Sequence, residues 1–176
     1  VSRLMRVLND DNQQISKIIQ FLLASGLRLN ECLRAEWKDI DLKNRVMVIP
    51  SKTAKSKKID SIPINEIMSQ ILESCSRTTP YPFSNPKTSK PFVSIKNGFV
   101  KLMRQADIVG VTAHTMRHSF ASCLINQGVS LYLVQRLLRH SSSKVTEKYS
   151  HLTNSTVMTA SNTISDTLLK VAAGNQ

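Results

Sequence analysis

"TAHTMRHSFA", residues 112–121, sets an arginine between two histidines. The stretch suits the first turns of a helix. On a helix His114 and Arg117, three residues apart, project from one face and can address one small anion together. His118 falls one step around and can instead pack against His114 at i, i+4. That histidine spacing also occurs in metal sites. The general-base glutamate of the zinc-protease pattern is absent, however, and no third ligand is apparent, so no metal is expected.

Outward from this stretch the chain reads as mainly helical. "SIKNGFVKLMRQAD", residues 94–107, fits a helix, and further helices are expected over 115–127, 130–139 and 143–150, with Gly128 and "HSSS" as breaks. In "ISKIIQFLLASGLR", residues 15–28, Ile15, Ile18, Ile19, Leu22 and Leu23 follow the spacing of an amphipathic helix, and Gly26 is a good stop. A short helix is expected from about Asn30, a favoured cap, to Trp37, followed by the turn-like "KDID". "RVMVIP" and "IDSIPI" read as two short strands joined by a lysine-rich loop. "INEIMSQILESC" returns to helical spacing, whereas residues 77–91 carry four of the six prolines and are expected to form a surface loop. The fold class is therefore mainly α with a small antiparallel β-sheet. No repeat or low-complexity tract interrupts it.

Composition narrows the partners. A chain of 176 residues, 41% hydrophobic, can build one ordinary domain with a real core. Lys plus Arg number 24 against 12 Asp plus Glu, giving a formal net charge of +12. Such a surplus points to a polyanion, with nucleic acid first because phosphate neutralisation drives its binding, although a merely basic soluble protein has the same composition. Cys32, Cys75 and Cys123 are far apart and odd in number, and read as small buried hydrophobes in a reducing compartment. No apolar run reaches the ~18 residues that span a bilayer and no signal pattern opens the chain, so a cytosolic protein without a membrane partner is expected. The start at Val1 rather than Met suggests a fragment of something longer.

Several further residues can carry chemistry. Lys52, Lys55, Lys57 and Lys58 crowd a strand-to-strand loop, which is either a solvated hairpin tip or a finger that enters a DNA groove. A lysine there can donate a proton as well as a charge, because desolvation and neighbouring cations lower its pKa. Arg28 lies just past a helix end, and Glu31 can hold it by a charge-assisted hydrogen bond; a commonplace surface pair looks the same. Tyr149 reads equally as a half-buried packing residue or as a nucleophile toward a phosphate held by cations. Residues 129–149 also admit a helix-turn-helix reading, a pattern that many helical hairpins satisfy.

The order of these boxes is distinctive: Arg in "GLRLNE", Lys in "SKT", His-x-x-Arg-His in "HTMRHSFA", His in "LLRH" and Tyr in "EKYSHL". From about residue 15 to 152 the chain resembles the catalytic domain of tyrosine recombinases, the phage integrase family. The resemblance implies Arg28 and Arg117 as clamps on the scissile phosphate, Tyr149 as nucleophile and Lys52 as the acid that protonates the leaving 5′ oxygen. It further implies His114 as an acid-base or hydrogen-bonding partner and His140 as a phosphate hydrogen-bond donor. Glu31 would orient the first box, His118 would be mostly structural, and Lys55, Lys57, Lys58 and Arg139 would meet DNA. Residues 1–152 would form the catalytic breaking-rejoining domain, and 153–176 a tail able to dock on a neighbouring protomer or fold back on its own domain.

These roles are chemically coherent. Attack by the Tyr149 oxygen builds charge on a pentacoordinate phosphorus, which two guanidinium forks and a histidine donor can stabilise without a metal. The 3′-phosphotyrosyl link conserves the bond energy, so religation needs no cofactor. The implied function is site-specific integration or excision of a phage or other bacterial mobile element. The implied partners are double-stranded DNA, a homotetramer on it when full length, and accessory DNA-bending proteins, in the cytoplasm at the nucleoid. Type IB topoisomerase-like relaxation and a non-catalytic DNA-binding regulator are the alternatives.

Two features depart from the family pattern. Where Leu-Gly-His is usual, Arg139 precedes His140, which removes backbone freedom and adds a cation. The N-terminal DNA-binding domain typical of such enzymes is expected to be absent from this chain, at a cost in site affinity and specificity.

Overall fold

The computed structural model describes residues 2–11, 13–50 and 60–139. The chain forms two compact units, Val1–Phe120 and Ala121–Gln176. Helices predominate in the described residues, with one small antiparallel sheet, as the residue pattern leads one to expect.

In the first unit α1 (Ser2–Asp10) and α2 (Gln14–Ser25) pack side by side. The α2 residues Ile18, Ile19, Phe21 and Leu22 are wholly buried, and burial of such side chains stabilises by about 1.5–3 kcal/mol each. Phe21 meets Phe83 of the proline-rich loop with ring centroids 4.9 Å apart, so that surface loop is pinned by one buried aromatic. The periodicity of residues 15–28 delivers α2 and its stop. Gly26 takes the left-handed conformation, φ 64°, and its N–H donates to Leu22 O at 3.0 Å.

The sequence reading missed α1. Its signal is the i, i+4 pair Leu4 and Leu8, both buried, diluted by Arg3, Arg6, Asn9 and Asp10.

The next helix is shorter than expected. α3 covers only Leu29–Leu33, and its N-cap is Arg28 rather than Asn30. Glu31 favours this start: its carboxylate reaches back to accept from the Arg28 backbone N–H at 2.9 Å, the half of a capping box in which the third helical residue serves the cap. Trp37 opens a separate 3₁₀ turn, Trp37–Asp39, and the Arg77 guanidinium lies 4.3 Å above its ring. Beyond it, part of "KDID" is a strand and not a turn.

Three antiparallel strands result: β1 (Ile40–Asp41), β2 (Val46–Ile49) and β3 (Asp60–Pro63), in that order across the sheet. The register sets Ile40 opposite Met47 and Met47 opposite Ile62, which places buried Met47 and Ile62 on the core face. Two residues of β1 give too short an alternation to show in sequence. The pairing of β2 with β3 is the expected hairpin, whereas residues 51–59 between them, with Lys52, Lys55, Lys57 and Lys58, lie outside the described residues.

α4 (Glu66–Glu73) starts on the Asn65 side chain, which accepts from the Met68 N–H at 3.0 Å and donates to Ala24 O at 2.8 Å. α5 (Lys96–Gln105) approaches α2 at Gly98, where a Cβ would collide with Ile15. α6 (Ala113–Asn126) places "HTMRH" in its opening turns.

In the second unit Ala121 and Ile125 of α6 and Val134 and Leu138 of α7 (Leu131–Leu138) are buried. Ser130 caps α7 by accepting from the Leu133 N–H at 3.3 Å. Cys32 and Cys75 are buried as expected, but Cys123 is exposed: it sits on the open side of α6, beyond the buried Ala121 and Ile125 positions. The helix expected over 143–150 lies outside the described residues.

Candidate active site

Arg117 is 4% exposed although it is a cation on a helix. Its guanidinium donates to the carbonyl of Gly26, 91 positions earlier in the chain. The left-handed turn at Gly26 frees that carbonyl from α2, so the glycine both ends the helix and supplies the acceptor. Arg28 follows two residues later. The first and third boxes are thereby joined through one backbone atom.

Arg28 is held by Glu31 through two hydrogen bonds to different carboxylate oxygens. Its backbone N–H donates to one, and its guanidinium donates to the other at 3.1 Å. The Arg28 side chain is 51% exposed and that of Glu31 only 17%, so the carboxylate is the anchored partner and the guanidinium head faces outward. The ion pair itself contributes about 0.5 kcal/mol at such exposure; its larger effect is to fix direction.

His114 is exposed near the start of α6, and His118 packs edge-on against it, ring centroids 4.5 Å apart at 84°. The i, i+4 pairing is as expected. Thr112 and Thr115 shape that helix start, the Thr115 hydroxyl accepting from the Thr112 N–H at 3.0 Å.

Arg28, Glu31 and His114 line one cavity of about 740 Å³ together with Lys96. Lys96 was not singled out in the sequence, where only its place at a helix start in a basic chain hinted at a role. Arg117 is not among the residues lining that cavity and instead holds the turn that carries Arg28. Beside Glu31, the buried thiol of Cys32 is pushed well above the ordinary cysteine range, by burial first and then by Cys75 and Glu31.

His140 and Tyr149 lie outside the described residues. Arg139 is the last residue described, and it takes the left-handed conformation, φ 52° and ψ 46°, as the C-terminal cap of α7. Among the described residues no three His, Cys, Asp or Glu side chains gather as metal ligands, and no helix is long and apolar enough to cross a membrane.

Known proteins resemble this chain in sequence and fold. The chain is 29% identical over 150 residues to tyrosine recombinase XerC of Pediococcus pentosaceus, covering 77% of this chain and 49% of that one. It superposes on the crystal structure of XerA recombinase with a TM-score of 0.75 at 25% identity, over 92% of this chain and 60% of that one. The Tn1549 transposon integrase in complex with transposon right end DNA has the same fold, with a TM-score of 0.76 at 20% identity, over 93% and 63% of the two chains. The chain spans about half the length of the curated relatives it matches. Its mainly helical fold with a three-stranded antiparallel sheet is that of tyrosine recombinase catalytic domains. The sequence profile of the phage integrase family matches residues 1–156, and the chain belongs to that family.

Proposed function

We propose that the chain is the catalytic part of a site-specific DNA recombinase that cleaves and rejoins strands through a 3′-phosphotyrosyl intermediate. The observation that carries this reading is the Arg117 to Gly26 hydrogen bond, which ties the helix bearing His114 to the turn bearing Arg28. Two boxes remote in sequence are thus built as one anion-binding device.

In the proposed reaction Arg28 and Arg117 clamp the scissile phosphate and His114 donates to it or moves a proton. Tyr149 attacks phosphorus, the bond to the 5′ oxygen breaks, and Lys52 protonates that oxygen. His140 donates to a phosphate oxygen. Glu31 orients Arg28, and His118 supports His114. A charged phosphate oxygen makes a stronger bond with a guanidinium than a neutral acceptor does.

Residues 1–152 are proposed as the breaking-rejoining domain and 153–176 as a tail that docks on a protomer or folds back. Double-stranded DNA is the proposed substrate, with Lys55, Lys57, Lys58 and Arg139 as contacts; the net charge of +12 and the DNA-bound state of the Tn1549 integrase support it. A homotetramer on DNA, helped by DNA-bending proteins, acting at the nucleoid in the cytoplasm on a phage or mobile element, completes the proposal.

Covalent trapping tests it. The chain is incubated with supercoiled plasmid in EDTA and quenched with detergent, and protein-linked nicked DNA is sought. An adduct that maps to Tyr149 and is lost in Tyr149→Phe, with DNA binding retained, is the expected result. DNA binding without any adduct would overturn the catalytic reading in favour of a DNA-binding regulator.

A further inference from the structure

The cavity at the site is larger and more apolar than a phosphate requires. At about 740 Å³ it has the volume of a small-molecule site, and Leu27, Leu29, Ile95, Phe99, Val100 and Val111 give it hydrocarbon walls. Its ionisable lining consists of Arg28, Lys96, His114 and the single carboxylate Glu31, which already accepts from Arg28. Among the described residues no carboxylate pairs with Lys96. Cationic groups therefore exceed anionic ones around an apolar space.

We infer that this cavity binds a small amphiphilic anion, a molecule with a hydrocarbon or aryl body and one carboxylate, sulfonate or phosphate head. An inorganic anion would satisfy the cations and leave the walls wet. A neutral hydrocarbon would cover the walls and desolvate Arg28 and Lys96 without compensation. A molecule carrying both parts meets both demands, the body removing apolar surface from water and the head accepting from Arg28 and Lys96. With its head on Arg28 the ligand excludes a DNA phosphate from the same guanidinium, so it regulates by competition. That consequence, unlike the binding, rests on the phosphate-clamping role proposed above.

The test uses anilinonaphthalene sulfonate, itself an amphiphilic anion whose fluorescence rises in apolar surroundings. It is titrated into the chain without DNA. Saturable binding is expected, displaced by monomeric decanoate and not by inorganic phosphate or by decanol at the same concentration. Val100 is 38% exposed, so Val100→Trp fills the cavity from its open side without disturbing the core, and Lys96→Glu reverses a charge at its lining. Each variant should weaken probe binding by about tenfold with an unchanged thermal melt.

Unaltered binding by both variants would overturn the inference, as would displacement by decanol equal to that by decanoate. Displacement by a peptide of residues 160–172 at lower concentration than decanoate would assign the cavity to a chain segment instead. Tyr149→Phe should bind the probe like the native chain. Failure of probe binding and failure of covalent trapping are therefore separate outcomes.

Discussion

Two helices of this chain close in the same backbone conformation with opposite kinds of residue. α2 ends on Gly26, φ 64°, and α7 ends on Arg139, φ 52°. Each cap lies shortly before a residue of the proposed site, Arg28 two positions on and His140 one position on. At the first end glycine adopts the left-handed turn freely, and the released carbonyl is taken by Arg117. At the second an L side chain holds a conformation that costs about 1–2 kcal/mol. The family's usual glycine before the histidine thus has a physical reason that this chain overrides: the turn is kept and the strain accepted. The same left-handed cap thus forms with either residue type, and residue type sets its cost.

Arg117 is the side chain on which the first of these two turns depends. Arg117→Ala removes a proposed phosphate clamp and leaves the Gly26 carbonyl without this donor, so the rate of covalent adduct formation should fall by about 10²–10³-fold. An equal rate in the variant would show that the clasp between the two boxes is dispensable. Arg117→Lys should recover only part of the loss, because an ammonium lacks the planar fork that can hold a carbonyl and a phosphate at once.

Gly26→Ala comes next. A Cβ at positive φ should destabilise the fold by about 1–2 kcal/mol in urea unfolding, and should slow adduct formation by shifting the turn that carries Arg28. A loss of stability with no change in rate would separate the cap's two duties.

Arg139→Gly is the mirror experiment. It should stabilise by about 1 kcal/mol, less whatever the Arg139 side chain contributes, which corresponds to a rise in melting temperature of about 2–4 °C. Arg139→Ala keeps the strain and loses the side chain, so the difference between the two variants isolates the backbone term.

The smallest effect is a reporter. A thiol reagent should label exposed Cys123 in the native protein and spare buried Cys32 and Cys75. Cys32 is protected twice, by inaccessibility and by a thiol held above its ordinary range so that little thiolate forms. Gly26→Ala should speed labelling of Cys32 and leave Cys123 unchanged. Acceleration of both would mean that the strain spreads through the chain.

What the sequence made legible follows from the range of each interaction. α2 with its stop, α4, α5, α6 and the β2–β3 hairpin rest on local periodicity and turn residues, so their patterns are visible in a short window. The Arg28 to Glu31 pair and the His114 to His118 stack are also local, three and four residues apart. β1 escaped because two residues form a strand only through a partner. The Arg28 cap escaped because arginine is not a favoured cap residue and its backbone N–H is served by Glu31, three positions on. The burial of Arg117 escaped for the deepest reason: its acceptor is a backbone carbonyl 91 residues away, and a carbonyl carries no residue type to read.

That last fact shapes how this part of the chain can evolve. An ion pair can be swapped or reversed by paired substitutions, and such exchanges leave correlated changes at two positions. Arg117 answers to a peptide oxygen that every residue at position 26 would carry, and the only requirement there is the shape of the turn. No substitution at position 26 can supply a compensating charge. In an alignment of this chain's relatives, position 117 should therefore vary without correlation to position 26.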